Sequence, residues 1–132
     1  MLNVKRNERL EWGWLIWLIG FGGIHEVLAG ILGVVINRGI SFGWRVPMTV
    51  GMVIIVLVGL WWWGRKNIYL RKGIDLILAG GSVNLIDRLR FGYVRDYWRW
   101  KWFDNNVADL VIGMGVIWIL IKIYVGKNKS NL

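Results

Sequence analysis

"VPMTVGMVIIVLVGLWWWG", residues 46 to 64, contains no charged side chain. A bilayer core is crossed by about 20 predominantly apolar residues in helical form, and this run is the clearest candidate span in the chain. Pro47 stands at its start, where the first turn of a helix tolerates proline. Trp61, Trp62 and Trp63 stand at its end, just before Arg65, in the order of an interfacial aromatic belt followed by headgroup-level cations.

Three weaker runs flank it. Residues 12–30 are apolar except for His25 and Glu26 near the far end, which are expected to act as interfacial loop residues solvated by headgroups. Residues 73–90 carry Asp75 close to their start and are uncharged from Leu76 to Ile86. Residues 106–125 carry Asp109 at one end and Lys122 at the other, each close enough to an end to reach an interface. The expected fold is therefore an all-α membrane protein. It is a single domain with four transmembrane helices, over about residues 12–30, 46–64, 73–90 and 106–125, and a small outer-face β/loop region.

Composition agrees: 56% of the 132 residues are hydrophobic, with 11 Trp, 18 Gly and one Pro. Cysteine is absent, which removes disulfide and thiolate chemistry on either side of the membrane. A net charge of +9 beside many tryptophans is compatible with nucleic acid in isolation. Placed on four spans, however, Lys5, Arg6 and Arg9, then Arg65, Lys66, Arg71 and Lys72, then Lys127 and Lys129 all fall on one side. That side is cytoplasmic by the positive-inside rule, so both termini are expected in the cytoplasm and no nucleic-acid partner is expected. Arg38, Arg45, Arg88, Arg90, Arg95, Arg99 and Lys101 fall on the opposite face, where anionic headgroups or a polar substrate would account for them. The basic, then apolar amino terminus has the form of a secretory signal, but its removal would leave three spans, so it is read as a retained first helix.

Between the first two spans, "ILGVVINRGISFGWRVP" (31–47) reads as an outer strand and turn. Between the last two, "YWRWKWF" (97–103) alternates aromatic and cationic residues, the period of a strand lying on the interface. The end of the third span spaces Asn84, Asp87 and Arg88 at i, i+3, i+4, so they share a helix face. One turn earlier, Ala79, Gly80, Gly81 and Ser82 allow helix backbones to approach closely. At the start of the fourth span, Asn106 fits an N-cap and Asp109 the third helical position. Capping and catalysis both remain open there. Asp87 beside Arg88 reads as a structural ion pair, and Asp104 as a solvated loop residue.

The motifs taken together are "GGSVNLIDR" (80–88), "GYVRDY" (92–97), "NNVAD" (105–109) and, upstream, "NRGISFG" (37–43). In this order they resemble the lipoprotein signal peptidases, or signal peptidase II, the bacterial intramembrane aspartic proteases. The resemblance covers roughly residues 31 to 115. It implies an aspartic endopeptidase of the bacterial cytoplasmic membrane that cuts a prolipoprotein signal peptide before a diacylglyceryl-modified cysteine. The catalytic pair would be Asp96 and Asp109, with Asn37, Asn84, Arg88 and Asn106 lining the site. Asp87 matches a family acid outside the dyad, and Asp104 matches nothing.

The pattern departs at Val83 for Gly, at Tyr97 for Phe and at Asn105 for Phe. The first helix offers "GGIHEV" (22–27) where the family carries an Asp and a Lys. The outer segments are also shorter than is usual for the family.

Such a dyad hydrolyses peptides without a metal: two close carboxylates share a proton, one acting as base towards water and the other as acid towards the scissile group. No cofactor and no metal are expected, since His25-Glu26 lacks the second His of H-E-x-x-H. The expected partners are the lipid-modified prolipoprotein and membrane lipids, and the expected state is a monomer. The competing readings are a non-catalytic protein that binds lipidated peptides and a small proton-linked transporter subunit.

Overall fold

The computed structural model describes residues 12–37, 46–101 and 103–130; of these, the side chains of Asn37, 46–49, Trp100 and 129–130 fall outside the description. Four helices appear among the described residues: α1 Gly13–Leu32, α2 Val46–Lys66, α3 Arg71–Phe91 and α4 Val107–Ser130. Four short strands complete the fold: β1 Val35–Asn37, β2 Val94–Asp96, β3 Trp98–Trp100 and β4 Phe103–Asn105.

The apolar surface faces outward. Ile16, Ile19, Val27 and Ile31 of α1 and Leu110, Ile117, Leu120 and Ile121 of α4 are exposed, while His25, Asp75, Asn84, Asp87, Asp96 and Asn106 are buried. A chain in water would bury the first set and solvate the second; lipid reverses the preference. Among the described residues, Gly13–Leu32 and Val107–Asn128 are long and apolar enough to cross a bilayer.

Helix α3 is the hub, packing against α1, α2 and α4. Association between helices in lipid depends on close packing rather than on a hydrophobic drive, and the glycines of α3 provide it. A Cβ on Gly73 would lie 2.7 Å from the Gly115 carbonyl oxygen, and one on Gly80 would lie 2.5 Å from that of Ala108. The two contacts are seven residues apart on each helix and run antiparallel, so α3 and α4 meet backbone to backbone along one seam. Gly81 turns towards α2, where a Cβ would lie 2.7 Å from Leu57 Cδ2. The small-residue run expected to admit close neighbours thus serves two different helices.

The two ends of the bundle differ. At one end Trp12, just before α1, lies 6.5 Å from Trp61 of α2, and Arg65 and Lys66 sit over the Trp61 and Trp62 rings at 4.8 and 3.7 Å. Lys72 and Lys122 both approach Trp118 at this end. The strands occupy the other end. β1 pairs antiparallel with β2, Val35 opposite Asp96 and Asn37 opposite Val94. β3 pairs antiparallel with β4, with Lys101 at φ 33 in the turn between them. Beneath these ribbons Ala29, Tyr97, Val107 and Val111 form a buried apolar cluster.

Three expectations are corrected. His25 is not an interfacial loop residue: it lies within α1 and is 1% exposed. Asp104 is not a loop residue: it lies in β4 opposite Arg99, whose Nε is 3.1 Å from its Oδ1. The Asp87–Arg88 pair does not form, because consecutive helix positions point about 100° apart; Asp87 binds His25 and Arg95 instead. Lys5, Arg6, Arg9, Arg38, Arg45, the rest of the "NRGISFG" motif beyond Asn37, and Trp102 lie outside the described residues.

Candidate active site

The strand end of the bundle holds two polar clusters, one on each side of β2. The first is built around Asn106, fully buried at the N-terminus of α4. Its Oδ1 accepts the Asp109 backbone N–H at 3.1 Å, while its own backbone N–H donates to Asp109 Oδ2 at 3.3 Å. This reciprocal arrangement is a capping box built from Asn and Asp, and it satisfies donors that the first turn of a helix leaves open. The local sequence N-x-x-D therefore dictates where α4 begins.

Capping uses only part of what these side chains offer. Asn106 Nδ2 donates to Asp96 Oδ1 at 2.9 Å and to Asn84 Oδ1 at 3.0 Å. Asn84 Nδ2 in turn donates to Asp109 Oδ1 at 2.9 Å. Asp96 from β2, Asn84 from α3, and Asn106 and Asp109 from α4 thus close into one network. Asp96 is fully buried and Asp109 is half-buried.

Arg88 donates to the Asn84 carbonyl oxygen at 3.4 Å and interacts electrostatically with Asp109, Asp96 and Asp87. It supplies positive charge beside the two carboxylates without a direct ion pair to either among the described contacts. Asn37 contributes its backbone opposite Val94, but its side chain lies outside the described residues.

The second cluster is centred on Asp87. Its carboxylate accepts His25 Nε2 at 2.9 Å, the Arg95 backbone N–H at 2.9 Å, Arg95 Nε at 3.1 Å and Arg95 Nη2 at 2.7 Å. Arg95 also reaches Glu26, which binds Arg90 as well. Hydrogen bonds donated to Glu26 and then to Asp87 raise the Arg95 guanidinium above its ordinary range. The strand-end cations Arg90, Arg95 and Arg99 thus have partners within the protein. They do not need headgroups to explain them.

Tyr97 ties the two clusters together. Its hydroxyl oxygen accepts the Val107 backbone N–H at 2.9 Å and lies 3.2 Å from His25 Nδ1. Burial pushes the hydroxyl above its usual range, so it stays protonated and able to donate. His25 and Tyr97 are the site-end residues that sequence reasoning did not assign. The available signal was a lone His facing inward one turn after Gly22, but the partner that gives it meaning is 72 positions away.

Among the described residues no group of three or more His, Cys, Asp or Glu is placed to hold a metal ion. Two carboxylates, two carboxamides and a guanidinium can orient water, exchange protons and donate to a developing oxyanion, which is the equipment of acid–base hydrolysis.

Residues 14–125 match the family model described as signal peptidase (SPase) II. The chain belongs to the signal peptidase II family. It is 32% identical to the lipoprotein signal peptidase of Latilactobacillus sakei over 98% of this chain and 94% of that one. It is 29% identical to the lipoprotein signal peptidase of Pseudoalteromonas atlantica over 100% of this chain and 99% of that one. Its fold matches a bacterial membrane enzyme solved by the in meso method at 2.3 Å resolution, with a TM-score of 0.72 at 21% identity over 90% of each chain. A second such enzyme, solved at 1.9 Å resolution, matches with a TM-score of 0.71 at 22% identity over 83% of this chain and 88% of that one. As a signal peptidase II, the chain is an integral membrane hydrolase of the aspartic endopeptidase class, and it acts in lipoprotein maturation.

Proposed function

We propose that this signal peptidase II removes the signal peptide from diacylglyceryl-modified prolipoproteins, cutting before the lipidated cysteine, with Asp96 and Asp109 as its dyad. The observation that carries this reading is the position of Asn106. Its side-chain amide binds Asp96, its backbone N–H binds Asp109, and the two acids therefore converge on one buried residue. One aspartate activates water while the other protonates the leaving amine, and the pair titrates as a unit. Arg88 and Asn84 position the substrate backbone and donate to the oxyanion, while Asn106, whose two amide hydrogens go to Asp96 and Asn84, holds the dyad. Asn37, at the edge of β1, completes the lining.

All four helices span the membrane as one domain, with both termini cytoplasmic and the strands at the outer face. The cation and tryptophan end formed by Trp61, Arg65, Lys66 and Lys72 supports that orientation. The lipidated substrate enters from the bilayer, so its scissile bond meets the acids near the outer interface, where water is available. The enzyme works as a monomer, and its partners are the prolipoprotein and the surrounding lipids.

The test is cleavage of a diacylglyceryl-modified prolipoprotein by Asp96→Asn and Asp109→Asn. Each is expected to lose at least about 10³-fold in rate while remaining folded. Either variant cleaving at a wild-type rate would remove that residue from the dyad.

A further inference from the structure

His25 is the single histidine of the chain and, with Ala29, one of the two buried residues of α1. Both ring nitrogens are engaged, Nε2 with Asp87 Oδ2 and Nδ1 with the Tyr97 hydroxyl. The directions of these bonds follow from their neighbours. The Tyr97 oxygen accepts the Val107 backbone N–H and keeps its hydroxyl hydrogen free to donate to His25 Nδ1. Asp87 already accepts from the Arg95 backbone and guanidinium, so His25 Nε2 donates to it. This assigns the Nε2–H tautomer from the network.

The atoms that His25 joins bracket the proposed catalytic strand. In β2 and just after it, Arg95 and Tyr97 are two positions apart and project to the same side, while Asp96 projects to the other. Arg95 is bound to Asp87 through its backbone and side chain. Tyr97 is bound through its backbone N–H to the Asn105 carbonyl at 3.1 Å and through its hydroxyl to the first residue of α4. His25 connects the Asp87 side of this bracket to the Tyr97 side. The tyrosine hydroxyl is also the atom by which position 97 departs from the Phe of the family motif.

We propose that His25 is a positioning residue for the aspartic dyad. By holding Asp87 with one nitrogen and Tyr97 with the other, it fixes β2, which carries Asp96, against the first turn of α4, which carries Asp109. The inference rests on the dyad reading above. It predicts that the imidazole acts through Tyr97, on turnover rather than on substrate binding.

The experiment is a double-mutant cycle on the full chain in detergent or lipid. Cleavage of a diacylglyceryl-modified prolipoprotein would be measured as kcat and KM per folded molecule. In His25→Gln the amide reaches the Nε2 position and keeps the donor to Asp87, but the acceptor for Tyr97 is lost. In Tyr97→Phe the hydroxyl alone is removed. Each single variant is expected to lose about 10- to 100-fold in kcat, the scale of a small misplacement of reacting groups, with KM within about twofold of wild type. The double variant should be no slower than the worse single one, because both remove the same link.

Losses that multiply, a rise in KM at constant kcat, or wild-type kcat in His25→Gln would each overturn the inference. If His25→Gln does not accumulate, His25→Asn, whose amide reaches the Nδ1 position, breaks the bracket on the Asp87 side instead; a fall in kcat at constant KM is expected, and wild-type kcat would overturn the inference. Asp96→Asn is run alongside. Cleavage by that variant would remove the dyad and the inference with it, whereas an inactive Asp96→Asn beside a fully active His25→Gln would overturn the role of His25 alone.

Discussion

Asp87 and Asp96 lie on opposite sides of the same short strand, both almost wholly buried, yet their surroundings differ in kind. Asp87 is surrounded by donors from an arginine and a histidine, with Arg95 alone supplying three nitrogen atoms. Asp96 accepts a hydrogen bond from the neutral carboxamide of Asn106, and Arg88 acts on it electrostatically. A carboxylate clamped by a guanidinium is fixed as an anion and serves structure. Under the proposed mechanism Asp96 and Asp109 are the acids that exchange a proton. Asp109, bonded to the Asn84 amide and a backbone N–H, contrasts likewise with Glu26, which is bonded to Arg90 and Arg95.

The contrast can be broken in order of effect. Asp96→Asn should abolish cleavage and leave the fold in place, because an amide oxygen still accepts from Asn106; thermal melting alongside the cleavage assay checks both halves. Asp87→Asn should act chiefly on stability. It removes one partner of a buried ion pair, so a stability loss of about 3 kcal/mol or more is expected, seen as a lowered melting temperature and poor recovery. A stable, inactive Asp87→Asn would erase the distinction between the two acids.

A smaller effect tests the frame that holds both clusters. Gly80→Val places methyl groups where the Ala108 carbonyl and Ile112 already lie, at 2.5 and 2.8 Å from the Cβ position. The seam between α3 and α4 must open, at about 1–3 kcal/mol, and Asn84 would move away from Asn106 as it does. Both melting temperature and kcat should fall together, unlike in either aspartate variant. The smallest effect is expected from Arg99→Ala. Its cross-strand pair with Asp104 is exposed on the arginine side, so under about 0.5 kcal/mol is expected. A large loss of cleavage there would mean that the hairpin touches the substrate.

Much of the site was legible because its chemistry is local in sequence. Asn106 and Asp109 cap the helix they begin, so the N-x-x-D spacing implies their contact. Asn84 four positions before Arg88, and the glycines one turn earlier, follow from helical periodicity in the same way. The error at Asp87 arose where adjacency in sequence was read as contact. Arg88 points elsewhere, and the true partner, Arg95, follows a helix end and a turn at Gly92 that bring it back. His25 and Asp104 were misplaced for a related reason: polarity near a span end suggests solvent unless the partner across the fold is known.

The sequence by itself determined the apolar helices, the order of the motifs and the cap of α4, because each depends on residues within one or two helical turns. The tertiary structure alone decided that His25 helps to clamp Asp87, and that α1 reaches the strand end of the bundle through that histidine and Tyr97. Those contacts join residues 62 and 72 positions apart. No periodicity within one helix encodes the face that another helix presents to it, and in lipid the buried polar groups reveal their roles only through the partners that satisfy them.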